Sequence, residues 1–359
     1  MFRRLLSVVL LGLTAVLPMM TAVKANDFAG ANSYFIYALE DTDRLAILDA
    51  MATANMKLLR VFITQVEEGT KGSSASAVND LETVAVGKYD DHILDLIDQL
   101  AYEAHARDIK LVIAMHDRYA LGCWSTDAYV AKYNLPTTNC EDGVPDSSIF
   151  YTNQNAITDF DARLAHILNY RSQNFGVPWR QLSDAIFAFE IENEAMGHMD
   201  VVAPDWWYGY HTSLAIRDVI GDWGLQISTG GGVDFPTSTQ SQFFTCSDLQ
   251  ILAIHDYNID PSYVGSSIDS VKPTVLASGQ RLLYEEFGAE GDDKQSQLQA
   301  VTNTLISTGV PWMYWEVTKP GAGSSNYEIW TDEPSWSTLQ SQSLITNQQG
   351  GEFGWPEID

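Results

Sequence analysis

The sequence predicts a (β/α)8 barrel in a single domain, and three observations carry that prediction. Eight apolar, β-branched or aromatic runs recur along the chain: 28–35, 57–63, 110–116, 186–193, 225–231, 251–258, 281–288 and 310–317. Amphipathic stretches with helical spacing separate several of them. The length suits eight strand–helix units closed into one barrel. A doubly wound sheet is the alternative, but no Gly-rich dinucleotide turn follows the first run.

The helical stretches are read from periodicity. In 43–56, Leu45, Leu48, Ala52 and Met56 fall on one helical face. Thr42 or Asp43 is the expected N-cap. Similar patterns cover 90–107, 156–174, 206–220 and 293–307. The connections after the second and third strands, about 64–89 and 117–155, are long. Long loops at the C-terminal ends of barrel strands are where such a fold builds a cleft.

The first 25 residues read as a secretory leader, implying an extracellular protein. Arg3 and Arg4 precede the apolar run Leu5–Val16, and Val23-Lys24-Ala25 offers a small-x-small cleavage site. The run is short for a membrane span and Pro18 follows it. Residues 26–359 would then form the single barrel domain. No later stretch is apolar enough to cross a bilayer, so no membrane association is expected after cleavage.

The chain carries a formal charge of −27; removing residues 1–25 deletes Arg3, Arg4 and Lys24 but no acidic residue, leaving −30. That excess argues against a nucleic-acid partner, whose phosphates need Lys and Arg. It suits a neutral substrate or an acidic medium. Of three cysteines, Cys123 and Cys140 share one loop-like segment and are expected to pair, leaving Cys246 as a buried thiol. The cysteine spacings match no zinc motif, and no sequon for N-glycosylation occurs. No metal or cofactor is expected, and no association beyond a monomer.

Polar residues collect where the strands end. Arg60 lies in the second run and His116 ends the third. Asn193 and Glu194 end the fourth, in FEIENEAMGH. His255 and Tyr257 lie in the sixth, Glu286 near the end of the seventh, in LLYEEFG, and Trp315 near the end of the eighth. Strand alternation puts His255 and Tyr257 on one face and Asp256 on the other. It also requires the adjacent Glu285 and Glu286 to point opposite ways. In a barrel the ends of strands four and seven face each other across the mouth. Two carboxyls converging there are what glycoside hydrolysis requires. Glu190, deeper in the strand, is expected to pair with Arg60, while Glu192 has no assigned partner. Trp124, Trp206, Trp207 and Trp330 are candidate sugar platforms, each to be weighed against plain packing.

These residues resemble glycoside hydrolase family five, a family of (β/α)8 retaining glycosidases. FAFEIENEA is similar to its strand-four segment ending in Asn-Glu, and YEEFG to its strand-seven Glu-Phe-Gly. His255-Asp-Tyr257 resembles its His-x-Tyr, and LLRVFI its strand-two arginine. FAGANSYFIY and RLAILDAMATANMKLLRVF are similar to fungal-type endo-β-1,4-mannanases. The resemblance implies Glu194 as general acid/base and Glu286 as nucleophile. It implies sugar contacts from Asn193, His116 and Trp315, and supporting roles for Arg60, His255 and Tyr257. The implied substrate is a β-linked polysaccharide, most similar to mannan, with a β-glucan as the alternative. A non-catalytic carbohydrate-binding barrel is a third reading. Two positions depart from the family pattern: Ala195 replaces a usual proline and Glu192 a small residue. A third is His116, which stands where fungal mannanases tend to have Asn; a histidine there is more usual in cellulase-like members, and the β-glucan alternative draws on it.

Overall fold

A computed structural model describes residues 27–138, 140, 145–202, 217, 219–221, 223–318 and 327–358. Eight parallel strands close into a barrel in sequence order. They are β1 Ala29–Asn32, β2 Leu58–Phe62, β3 Lys110–Ala114, β4 Ile186–Glu190, β5 Gln226–Ser228, β6 Ile251–His255, β7 Arg281–Glu286 and β8 Trp312–Tyr314. Register closes the ring, with Gly30 opposite Leu58 on one side and Met313 on the other. The strands are buried almost throughout, as a sheet covered by helices on its outer face must be. That burial is why the runs read as continuously apolar rather than alternating.

The expected strands exist, but each is shorter than its apolar run. β3 stops at Ala114, two residues before His116, and β4 stops at Glu190, before Asn193 and Glu194. The rim residues sit in the turns that follow, where the backbone leaves the ladder to aim side chains into the mouth.

Helices cover the expected stretches at Asp41–Thr53, His92–His105, Gln154–Asn169 and Lys294–Thr308. The first starts earlier than its expected cap. Glu40 takes the N-cap position without a side-chain bond, so Thr42 and Asp43 lie inside the helix. Two long helices escape the periodicity reading, Pro261–Ser278 and Pro334–Thr346. The former contains Pro273, Gly265 and five serines, all poor helix formers. Yet Val264, Ile268, Val271 and Val275 are buried along it at helical spacing, and packing outweighs propensity. Asp260 caps it, accepting from the backbone of Ser262 and Tyr263 at 3.0 and 2.9 Å.

Cys123 and Cys140 are bridged, with Cα atoms 5.1 Å apart, and Cys246 is buried and free. Residues 1–25, most of the helical stretch 206–220, and Trp206 and Trp207 lie outside the described residues. Among the described residues no helix is long and apolar enough to cross a membrane.

Candidate active site

Arg60 is the hub of the barrel mouth. It is fully buried, and its guanidinium meets carboxylates on three sides. Glu190 accepts from Nε and Nη2, the latter at 2.9 Å. Glu285 Oε2 lies 3.3 Å from Nε, and Glu286 Oε1 accepts from Nη1. Asn32 and Asn193 take further donors through their side-chain oxygens, at 3.2 and 2.9 Å. Only the rigid fork of an arginine serves so many acceptors at once.

His255 is the second hub. Nδ1 lies 3.0 Å from Glu194 Oε1 and 3.5 Å from Glu286 Oε1, and Nε2 lies 3.1 Å from Glu285 Oε2. Its ring occupies space that any side chain at residue 231 would need. A Cβ on Gly231 would lie 2.3 Å from the imidazole, and that residue's φ is +69°. Tyr257 donates to Glu286 Oε2 at 3.0 Å. Asp256 points away, accepting from the Phe235 amide and the Tyr263 hydroxyl. Alternation along the end of β6 is therefore as expected.

Alternation fails between Glu285 and Glu286. Both reach Arg60 and His255. The reason is a β-bulge: Ile254 pairs with Tyr284 but His255 pairs with Glu286, so Glu285 is an extra residue. A bulge bends the strand and lets consecutive side chains lean the same way.

Glu194 sits past β4 with a positive φ of 48°, unusual for a residue with a side chain. Its amide donates to Gly230 O at 3.0 Å, and its Oε2 accepts from Tyr119 at 2.6 Å. Asn193 is pinned by its amide to His116 O at 2.9 Å and by its side-chain Nδ2 to Asp117 at 3.0 Å. One oxygen of Glu194, one His255 nitrogen and one oxygen of Glu286 all lie within 4.8 Å of one another. These three are the one group among the described residues with the spacing of a cation site. Hydrogen bonds within the protein already engage each of them.

The charges must be balanced inside this buried cluster. Arg60 and His255 supply two positive charges against Glu190, Glu194, Glu285 and Glu286. Neutrality therefore requires two protons among four carboxyls, because unpaired buried charge is costly. Burial, with Glu285 alongside, pushes Glu190 up to about 8, so it holds one. Burial raises Glu286 too, against the lowering effect of His255 and Arg60. Burial would raise Glu194 as well, but hydrogen bonds from His255 and Tyr119 hold it lower. Burial would lower His255, but Glu286 and its two bonded carboxylates lift it to about 10. Glu194, His255 and Glu286 thus titrate as one unit.

His116 does not face the cleft. It is fully buried, its ring nitrogens each 2.7 Å from a carboxylate, Glu192 on Nδ1 and Asp127 on Nε2. Phe150 stacks on it at 5.6 Å. Glu192 also accepts from Tyr151 at 2.9 Å, and the Tyr151 oxygen in turn accepts from the Met196 amide. The partner missing for Glu192 in sequence is thus the loop wall behind Glu194.

Trp315 is half-buried on the opposite rim. It stacks parallel to Tyr34 at 5.9 Å and touches Phe62 at 5.7 Å. Lys71 lies 5.9 Å above its ring, held by Glu316 at 2.7 Å and by Glu328. Trp330 is buried and so is no platform, whereas Trp124 is 69% exposed. Sequence reasoning missed Asn32, Tyr34, Lys71, Asp117 and Tyr119. No local pattern distinguishes them; only the closed barrel brings them to the mouth.

A family model described as Cellulase (glycosyl hydrolase family 5) matches residues 25–321. The chain belongs to glycosyl hydrolase family 5. It is a glycosidase, hydrolysing glycosidic bonds. Among curated relatives, it is similar to a mannan endo-1,4-beta-mannosidase A of Hypocrea jecorina. The two are 24% identical over 348 residues, covering 88% of this chain and 73% of that protein. A probable mannan endo-1,4-beta-mannosidase F of Aspergillus flavus is 23% identical over 345 residues, covering 86% and 68%. The fold of an endo-1,4-beta-mannanase from Rhizomucor miehei superposes with a TM-score of 0.68 at 16% identity, over 90% of this chain and 96% of that one. That of an endo-beta-1,4-glucanase from Xanthomonas axonopodis pv. citri does so at 0.56 and 15%, over 89% and 99%. These likenesses are of fold.

Proposed function

We propose that the protein is a secreted, retaining endo-β-1,4-mannanase, with residues 1–25 as a cleaved leader and 26–359 as its catalytic domain. The observation that carries the reaction type is the approach of Glu194 and Glu286 to within 4.8 Å. Retaining enzymes hold their two carboxyls about 5–5.5 Å apart, whereas inverting enzymes need roughly 6.5–9.5 Å to admit a water between them. The relatives named as mannan mannosidases favour mannan as substrate.

In this reading Glu286 attacks the anomeric carbon as Glu194 protonates the leaving oxygen. The glycosidic bond breaks and a covalent glycosyl–Glu286 ester forms. Glu194, now ionised, then takes a proton from water, whose oxygen attacks the same carbon and frees Glu286. Arg60 and Tyr257 aim Glu286 and favour its ionised form against the opposing effect of burial. His255 touches both carboxyls and lets the shared proton pass between them. Positive charge developing at the sugar lowers the proton affinity of the adjacent Glu286, which favours the proton on Glu194 at the moment it is needed. Asn193 keeps one amide hydrogen for the sugar 2-hydroxyl, and Trp315 floors the sugar at the cleavage point.

The β-glucan alternative drew on His116, whose buried ring offers no edge to a sugar. A reducing-sugar assay of the mature chain on mannan, glucomannan, carboxymethylcellulose and laminarin tests the reading. Fastest release from mannan is expected. Faster release from carboxymethylcellulose or laminarin would refute the substrate, and release from none would refute the enzyme.

A further inference from the structure

Trp124 is the most exposed tryptophan among the described residues, yet nothing about it is loose. Residues Leu121 and Thr126 pair as an antiparallel bridge, and Gly122 N donates to Ser125 O at 3.1 Å. Cys123 is bridged to Cys140, and Thr138 N donates to Gly122 O at 2.8 Å. A tight, cross-linked hairpin therefore displays a large apolar ring to solvent. Exposing that area forgoes stabilisation that burial would give, and fixing it in place adds an ordering cost. Such a ring is ready to meet a ligand without further ordering.

Its inner face packs on Tyr119, with ring centroids 4.4 Å apart, and the Tyr119 hydroxyl is bonded to Glu194. Trp124 is thus one ring away from the proposed proton donor. The other aromatic cluster, Trp315 with Tyr34 and Phe62, lies over β8, β1 and β2. Trp124 follows β3 and stands beside the end of β4, across the mouth. A proton donor lies on the side of the sugar that departs, so the two clusters serve different sugars.

We propose that Trp124, seated on Tyr119 and tethered by the Cys123–Cys140 bridge, is a platform for the leaving-group sugars of a β-linked polysaccharide. This deepens the proposed hydrolase reading and rests on it. The pyranose C–H face stacks on the exposed indole, and the glycosidic oxygen then lies toward Glu194. The same platform holds an incoming sugar acceptor when the covalent glycosyl–Glu286 ester is resolved by a sugar hydroxyl instead of water. In that step Glu194 takes the hydroxyl proton, the new glycosidic bond forms and Glu286 leaves.

The test compares two substrates on wild type, Trp124→Ala and Trp124→Phe. One is β-1,4-mannopentaose, which places sugars on the leaving side. The other is a nitrophenyl β-mannobioside, whose leaving group is not a sugar. For Trp124→Ala, kcat/KM is expected to fall about tenfold more on the pentaose than on the aryl glycoside, mostly through KM, as one lost stacking contact implies. Trp124→Phe should recover part of the loss. Transfer to added mannobiose should fall relative to hydrolysis. Equal losses on both substrates, or none on the pentaose, overturn the platform while leaving the hydrolase reading intact. A wild type inactive on mannan and glucan alike overturns both.

Discussion

The Tyr119 hydroxyl lies 2.6 Å from Glu194 Oε2, opposite the 3.0 Å contact between His255 and Oε1. Both oxygens of the proposed acid/base are therefore held, and each donor favours its ionised form. Removing the hydroxyl in Tyr119→Phe raises the proton affinity of Glu194. The basic limb of the pH profile of kcat/KM, which reports loss of that proton, should move to higher pH. An unmoved limb would mean that Tyr119 does not act on Glu194.

The barrel was legible because its strands are buried on both faces and so read as eight apolar runs. The proposed pair was legible in position because Glu286 ends β7 and Glu194 lies in the turn just past β4. What was not legible follows from two local departures. The bulge at Glu285 depends on pairing with β6, which no parity rule sees. The burial of His116 depends on Asp127 and Glu192 arriving from different connections. The helix Pro261–Ser278 hid behind its serines, glycine and proline, although its four buried apolar positions follow the helical repeat.

Tyr257 is placed to tune Glu286, the proposed nucleophile. Its hydroxyl donates to Glu286 Oε2 at 3.0 Å. A hydrogen bond to a charged group contributes about 1.5–3 kcal/mol, so Tyr257→Phe should lower kcat roughly ten- to hundredfold with little change in thermal stability. Steady-state kinetics with a parallel melting curve separates this from a folding defect.

The Asp127–His116–Glu192 cluster makes stability depend on pH. Burial opposes the charged form of His116, but its two carboxylate partners outweigh that and raise it to about 9. A raised histidine contributes stability that is complete below its unfolded pKa of about 6.5 and is lost as pH rises through the folded value. Melting temperature should therefore fall between about pH 6.5 and 9. His116→Gln should be less stable at pH 6 and show a shallower decline over that window. Parallel curves for the two proteins would rule the cluster out as the cause.

Breaking the Cys123–Cys140 bridge releases a short loop. The constraint on the unfolded chain amounts to about 3 kcal/mol, so Cys123→Ser should lower the melting temperature by several degrees. Cys246 is buried and unpaired, and Cys246→Ala should leave the response to reducing agent unchanged. Calorimetry with and without reductant distinguishes the two.

The central claim is that Glu286 forms the covalent bond and Glu194 moves the proton. The most direct measurement is azide rescue of Glu286→Ala on an activated aryl β-mannoside, with the product's anomeric configuration read by proton NMR. The account predicts a nearly inactive variant revived by azide, giving an α-glycosyl azide. Unimpaired hydrolysis by Glu286→Ala, or a rescued product of β configuration, would contradict it.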